Sequence, residues 1–358
     1  MPSSVSAGHP YDPTDSRKGL RNAELMAIEL DLPSSQSGTP TPTPIVVTRE
    51  YSTPDRIFRW GVMASGLGVF LLLVAIGSFL AWSGWPAFRV AGWGFFTHSG
   101  PVQIGSKADF GVLASLTGTI EVAFVAMIVG APVAVGTALF LSEYAPLRTR
   151  RSLIAMVDLA AAIPSIIFGL WAFFELQPNV VGLSTWLSRH LAFIPFFKAT
   201  SPPLNASIFI AVLVVGIMIV PIVASICREV FSLAPAGERE AALALGASRW
   251  QMIRTVVIPF GRGGMIGAIM LGLGRALEET IAVSIILGGT YKVTTQILQH
   301  GGSTISQLIA VNFNQSGGQL GVHDLLLCGF VLFLLTLVIN LAASAIVNRS
   351  RSGAGVDL

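Results

Sequence analysis

Residues 238–259 read EREAALALGASRWQMIRTVVIP and lie between two long apolar segments, so they decide how the chain is organised. Pro-Ala-Gly at 235–237 ends the preceding apolar segment. Glu238 and Glu240 are predicted to occupy a first helical turn, where the helix dipole favours acidic side chains. Five alanines and leucines follow, and Gly246 predicts that this first helix ends in the left-handed conformation.

A second short helix is predicted directly after the first. Ser248 is a good N-cap residue, and Pro259 is expected to stop the helix because proline lacks a backbone N–H. Two short helices at a bend would make a compact knob between two apolar segments. Such a knob suits a lever that contacts a soluble motor, although an ordinary connecting loop explains the same pattern.

Six apolar segments are each long enough to cross a bilayer core of about 30 Å. They are Trp60–Trp82, Val122–Leu141, Ile154–Phe174, Asn205–Ile226, Gly263–Leu287 and Leu325–Val347. These 134 residues carry only four charges, whereas the other 224 residues carry 37. Charged residues make up 11% of the chain, against about 25% in soluble domains. The composition excludes a disordered protein, a nucleic-acid binder and an ordinary soluble enzyme, and predicts an all-α polytopic membrane protein with six transmembrane helices.

The segments outside these spans differ in basic residues. The terminal tails and the loops 142–153 and 227–262 hold 16 lysines and arginines, whereas the loops 83–121, 175–204 and 288–324 hold five. The positive-inside rule therefore predicts that both termini are cytoplasmic. The predicted organisation is a six-helix domain at 57–348, with a cytoplasmic loop at 227–262 and a short tail at 349–358.

Residues 1–56 differ in composition from the rest of the chain. They are rich in Ser, Thr and Pro, including GTPTPTP at 38–44, and such a segment cannot bury a core. We expect a disordered cytoplasmic tail, with a short amphipathic helix at Leu20–Leu32 as the alternative.

Cys227 and Cys328 fall in or beside apolar runs, so they indicate neither a disulfide framework nor a metal site.

Span five contains a cluster of charges at 274–280, GRALEET. Counted from Gly263, Arg275 lies about 18 Å along the helix, near the bilayer midplane, where an arginine should face the bundle interior and be paired. Glu278 at i+3 or Glu279 at i+4 can meet it on one helix face. Either the pair locks the packing of the helices, or it is a charged station on an ion or substrate path.

Arg275 suits an anionic substrate because a guanidinium forms bidentate hydrogen bonds to phosphate oxygens. The nearby Thr280, and Ser165 after Pro164 in span three, are candidate hydroxyl donors, although such hydroxyls more often bond their own helix. Span five also carries small residues at four-residue spacing, which predict close contact with another helix: Gly264, Ala268 and Gly272.

The loop between spans four and five resembles the signature loop of ABC importer permeases. That signature is Glu-Ala-Ala, three residues, Gly, nine residues, then an aliphatic, any residue, an aliphatic and Pro. It is matched by Glu240, Ala241, Ala242, Gly246, Val256, Ile258 and Pro259. In that family the loop is the coupling helix that inserts into the ATP-binding subunit. The resemblance implies a type I importer permease fold, and coupling contacts at Glu238, Glu240, Ala241, Ala242, Gly246, Arg249, Trp250 and Pro259.

From about residue 60 to its end, the chain is similar to phosphate permease subunits of the PstC type. The similar stretches include ALFLSEYAP at 138–146, IPSIIFGLW at 163–171 and GLGRAL at 272–277. The family's intramembrane Arg and Glu correspond to Arg275 and Glu279. The family usually has Gly before that Glu, where this chain has Glu278, so the role of Glu278 stays open.

The resemblance implies one permease of an inorganic phosphate importer in the bacterial cytoplasmic membrane. The implied partners are a second phosphate permease of the PstA type, two ATP-binding subunits and an extracytoplasmic phosphate-binding protein, with no nucleic acid. No Walker-type Gly-Lys-Ser/Thr loop occurs in the chain, so it is expected to be a transport subunit and not an enzyme. ATP and Mg²⁺ would be used by the ATPase subunits, and no cofactor or metal is expected on this chain.

Other functions remain open from the sequence. The nearest is an ABC permease for another oxyanion, such as sulfate, molybdate or phosphonate. A different class is a proton-coupled secondary transporter that uses Arg275, Glu278 and Glu279 as a relay. A membrane enzyme is disfavoured, because no His or Asp cluster lies in the apolar spans and no nucleophile lies beside a base.

Overall fold

A computed structural model describes residues 53–101, 110–199, 204–293, 295–315 and 318–351. The chain divides into two units at residue 65. Of the first unit the structure describes residues 53–65, which are helical. Residues 1–52 of the predicted tail, with the alternative helix at 20–32, lie outside the described residues. The last four residues of the predicted tail, 53–56, are helical.

The described residues form helices joined by short connections. They are α1 (Thr53–Ala91), α2 (Leu113–Leu139), α3 (Leu147–Ala161), α4 (Ser165–Trp171), α5 (Gln177–His190), α6 (Ile208–Ser232), α7 (Ala236–Ala244), α8 (Arg249–Met252), α9 (Ile258–Glu278), α10 (Ile281–Ile286), α11 (Ile305–Asn312) and α12 (Gln319–Arg351). Three π-helical turns, Phe140–Tyr144, Ala172–Leu176 and Ile253–Val257, continue α2, α4 and α8. Short 3₁₀ turns occur at Gly92–Phe96, Pro195–Phe197 and Phe313–Gln315. The strands Ser99–Gly100 and Gly111–Val112 pair antiparallel, with Ser99 opposite Val112.

Six helices in the described part of the chain are long and apolar enough to cross a membrane, which agrees with the predicted number. They are Thr53–Phe96, Leu113–Tyr144, Ser165–His190, Ile208–Ser232, Arg249–Glu278 and Gln319–Val347. Each predicted span overlaps one of them. The sequence therefore identified the spans, although it placed several of their ends wrongly.

Span three shows the first of these errors. The predicted Ile154–Phe174 crosses a break at Pro164, which lies between α3 and α4 with an extended ψ of 138°. The residue before a proline is biased away from the helical conformation, so a helix ends there readily. The candidate span begins at Ser165 and runs to His190, and α3 is a separate helix with no fully buried residue.

Helix α6 is the centre of the fold. In its most apolar stretch 72% of the residues are buried, against 39% in the span that begins with α2. The predicted stripe of small residues packs on α6: an added Cβ would lie 2.5 Å from Val230 at Gly264 and 2.5 Å from Val223 at Gly272. Ala268, between them, is also buried. The predicted close helix contact is therefore confirmed, and it places α9 directly against the central helix.

Candidate functional site

The signature segment, residues 236–259, begins with α7. The helix starts at Ala236, two residues earlier than predicted, so Glu238 lies in its first turn and Glu240 in its second. Gly246 has a φ of +86°, which confirms the predicted left-handed end. The N–H of Ala247 donates to the carbonyl of Ala242, and the N–H of Gly246 to that of Leu243. These two bonds make a Schellman motif, which fixes the direction in which the chain leaves α7.

The second helix of the signature segment starts as predicted and ends differently. The Ser248 hydroxyl accepts from the N–H of Gln251, whose side chain accepts from the N–H of Ser248, forming a capping box. Pro259 does not stop the helix, because the π turn Ile253–Val257 precedes it and the helix runs on into α9. Such a wider turn relieves the clash between a proline ring and the preceding turn. The second helix of the knob is therefore the start of span five.

The outer surface of the signature segment is exposed and partly apolar. The predicted contact residues Glu238, Glu240, Ala241, Gly246, Arg249, Trp250 and Pro259 are exposed, whereas Ala242 is half-buried and packs inward. Leu245 is 89% exposed and Trp250 57%. A large apolar side chain exposed at a helix bend is a typical anchor for a partner surface. Sequence reasoning missed Leu243 and Leu245, which belong to the same exposed face.

The inner side of α7 carries an ion pair that the sequence did not reveal. Arg239 Nη2 lies 3.3 Å from Glu143 Oε1, in the π turn that continues α2. The same guanidinium donates a hydrogen bond to the carbonyl of Phe231, near the end of α6. Arg239 therefore joins the signature segment to two membrane-spanning helices.

Span five is broken where the sequence predicted a continuous helix. Helix α9 ends at Glu278, and Glu279 is extended, with a ψ of 118°. The Glu279 carboxylate accepts a hydrogen bond from the N–H of Ala282 at 3.1 Å, in the first turn of α10. The predicted pairing of Arg275 with Glu278 or Glu279 on one helix face is therefore wrong. The described residues show no ion pair between Arg275 and either carboxylate, and the break turns Glu279 toward the next helix.

Arg275 and Glu278 instead share a cavity. It has a volume of about 300 Å³ and is lined by Ile222 of α6, Asn340 of α12, and Leu271, Gly274, Arg275 and Glu278 of α9. At about 30 Å³ per water molecule, it has room for a small hydrated anion. Both charged side chains are exposed to it, so the cavity offers one guanidinium and one carboxylate.

The two hydroxyl candidates, Thr280 and Ser165, do not contribute to the cavity wall. Thr280 Oγ1 donates to the carbonyl of Glu278 at 3.0 Å, as such hydroxyls commonly do. Ser165 is the first residue of α4, and neither residue lines the Arg275 cavity.

Within the described residues, no group of three or more His, Cys, Asp or Glu side chains is placed to hold a metal ion.

Comparison with known proteins assigns this arrangement to a family. The family model of binding-protein-dependent transport system inner membrane components matches residues 130–352, which include the signature segment and the broken span. The phosphate transport system permease protein PstC 2 of Mycobacterium tuberculosis is 40% identical over 305 residues, 84% of this chain and 93% of that protein. This chain belongs to the PstC family of inner-membrane permeases. The PstC permease of Xylella fastidiosa is 35% identical over 322 residues, 86% of this chain and 98% of that protein.

Membership in the PstC family confirms the predicted resemblance, fold class and role. A permease of this family is an inner-membrane transport subunit of a binding-protein-dependent ABC importer, and it works with ATPase subunits and a binding protein. In such a permease, an exposed helical bend between spans four and five is available to a partner. A charged cavity between spans four, five and six is available to a solute.

Proposed function

We propose that this chain is the permease subunit of an ATP-driven importer of inorganic phosphate and forms half of its translocation pathway. The observation that carries the proposal is its 40% identity across 93% of a phosphate permease from Mycobacterium tuberculosis. The Arg275 cavity supports it, because a guanidinium forks onto two phosphate oxygens and can replace part of the water that the anion sheds.

The assembly proposed around this chain follows from the same likeness. A second permease of the PstA type would face it across the pathway, and two ATP-binding subunits would contact the signature segments. An external phosphate-binding protein would deliver the substrate. The excess of lysine and arginine in the terminal tails and the 142–153 and 227–262 loops supports cytoplasmic termini. ATP and Mg²⁺ would act on the ATPase subunits, and this chain would neither hydrolyse ATP nor hold a cofactor.

The role of the signature segment in this proposal is mechanical. Its bend is fixed by the Schellman motif at Gly246 and the capping box at Ser248. Its second helix continues into α9 without interruption, as far as Arg275 and Glu278. A displacement of the bend by the ATPase would therefore move the helix that carries the charged cavity, which connects ATP hydrolysis to the substrate path.

The proposal is tested with membrane vesicles that contain the chain and its partner subunits. Uptake of radiolabelled phosphate is measured with ATP, with a non-hydrolysable ATP analogue, and with excess sulfate, molybdate or phosphonate. We expect uptake that requires ATP and is suppressed by unlabelled phosphate but not by sulfate, molybdate or phosphonate. Suppression by another oxyanion would assign that substrate, and uncoupler-sensitive uptake without the ATPase would assign a secondary transporter.

A further inference from the structure

We propose that the ion pair between Arg239 and Glu143 is a joint that makes the second membrane span follow the movement of the signature segment. The two residues are 96 positions apart in the chain. Glu143 lies in the π turn at the end of span two, and Arg239 lies in the first turn of α7. Arg239 is a positioning residue in this proposal. The inference rests on the proposed function, because a joint of this kind matters only where ATP hydrolysis drives the permease.

The burial of the pair is the first support. The Glu143 side chain is 6% exposed and that of Arg239 is 22% exposed. Glu143 Oε1 has no hydrogen-bond partner among the described residues, so the cation 3.3 Å away is what compensates its charge. A buried carboxylate held by one cation strongly favours keeping that cation in place, because separation leaves both charges uncompensated.

The second support is that α7 buries little apolar surface against the rest of the fold. Helix α7 has no fully buried residue, and only half-buried Ala242 joins the apolar cluster beneath it. Arg239 adds two polar contacts, one to Glu143 and one to the carbonyl of Phe231. A carbonyl at the end of a helix favours a cation, so the second contact ties α7 to α6 as well. Arg239 therefore supplies polar contacts that join this helix to spans two and four.

The position of Glu143 determines where the proposed joint acts on span two. The π turn Phe140–Tyr144 continues α2, and the N–H of Ala145 closes it on the carbonyl of Phe140. A π turn adds one residue, which changes the direction of the following side chains by about 100° relative to an α-helix. This turn therefore sets the direction in which Glu143 leaves span two, and a pull on Glu143 acts at the end of that span.

The experiment compares single and double neutral variants in the complete complex. Glu143→Gln and Arg239→Gln each leave one charge unpaired, whereas the double variant leaves none. We measure the amount of assembled complex, basal ATP hydrolysis, and hydrolysis stimulated by the phosphate-loaded binding protein. We expect reduced assembly in the single variants and near-normal assembly in the double variant. Stimulated hydrolysis per complex should fall about tenfold in all three, a typical coupling between sites.

A purely structural pair would behave differently, because removing both charges would then restore stimulation together with assembly. That result would overturn the proposal, and so would wild-type stimulation per complex in the single variants. Failure of the double variant to assemble would assign the pair to folding and equally overturn it. A further decrease in the double variant beyond either single would mean that the two residues act independently, which contradicts a joint.

A matched control is available elsewhere in the chain. Arg228 and Asp158 also form an ion pair, at 4.0 Å, between α6 and α3, and neither residue belongs to the signature segment. Asp158→Asn should leave stimulation unchanged, and an equal loss there would show that any lost charge has this effect. If the wild-type complex does not respond to phosphate, the proposed function fails. If it responds and the variants respond equally, only the joint fails.

Discussion

The carboxylate of Glu279 accepts a hydrogen bond from the backbone N–H of Ala282, so this intramembrane acid caps a helix instead of neutralising Arg275. Glu279 as a whole residue is 6% exposed, and its backbone carbonyl accepts a hydrogen bond from the Ser306 hydroxyl. Non-helical backbone inside a membrane protein is tolerated where other groups satisfy it. Glu279 and Ser306 do this at the break in span five, and Arg275 is left to the cavity.

This relationship predicts that an uncharged acceptor can replace Glu279. Glu279→Gln keeps an oxygen for the N–H of Ala282, so the thermal midpoint of the purified complex should stay close to wild type. Glu279→Leu leaves that buried N–H unsatisfied, at a cost of about 1–3 kcal/mol, and should lower the midpoint. Equal midpoints for Leu and wild type would show that the cap contributes nothing.

Arg275 is predicted to need both its charge and its shape. Arg275→Lys keeps the charge without the planar fork and should transport phosphate poorly, and Arg275→Gln should abolish uptake. Neither change should prevent assembly, because the side chain is exposed to a cavity. Phosphate uptake in vesicles, normalised to complex, is the measurement. Near wild-type uptake with Gln would remove Arg275 from the substrate path.

Glu278 is predicted to weaken anion binding in the same cavity. Its carboxylate lines the cavity three residues from Arg275, where it repels an anion and competes for the guanidinium. Glu278→Gln should therefore lower the phosphate concentration that gives half-maximal uptake, and slower release should lower the maximal rate. The opposite change in the half-maximal concentration would indicate that the acid assists binding.

Gly246 is predicted to be required for its backbone conformation alone. An added Cβ would meet nothing within 4 Å, but the φ of +86° is unfavourable for a residue with a side chain. Gly246→Val should strain the turn by about 1–2 kcal/mol and reduce stimulated ATP hydrolysis, whereas Gly246→Asn should be milder. Gly237→Ala is the control, because Gly237 has open space and no positive φ. Equal stimulated ATP hydrolysis in the Val and Asn variants would contradict a requirement for the positive φ at Gly246.

The features that the sequence predicted correctly are those encoded by neighbouring residues. The six spans follow from runs of apolar residues, the end of α7 from Gly246, and the cap of α8 from Ser248. The stripe that packs on α6 follows from small residues at helical spacing.

The features that the sequence did not reveal depend on contacts between distant segments. Arg239 meets Glu143 only after spans two and four pack together. The break at Glu279 follows Arg-Ala-Leu-Glu at 275–278, which are good helix formers, so the local composition favours an unbroken helix there. Pro259 favours a stop, and the π turn that lets the helix pass it has no signal of its own in the sequence. The break is satisfied by Ser306, which comes from a later segment of the chain.

The approach of the 303–305 loop to α2 gives the last prediction. Ser303 Oγ lies 2.9 Å from Ser115 Oγ, and the N–H of Ile305 donates to Thr119 Oγ1 at 3.0 Å. Between these contacts, a Cβ on Gly118 would overlap the carbonyl oxygen of Ser303. Gly118→Ala should therefore push the loop away, break at least one of these hydrogen bonds, and destabilise the permease by about 1–3 kcal/mol.

The matched control for this prediction lies on the same helix. Gly136 is exposed and has open space around it, so Gly136→Ala should stabilise α2 slightly, by up to about 1 kcal/mol, since alanine is the better helix former. The thermal midpoints of the two variant complexes should move in opposite directions from wild type. If Gly118→Ala raises the midpoint as Gly136→Ala does, the loop yields without loss and its contact with α2 does not stabilise the fold.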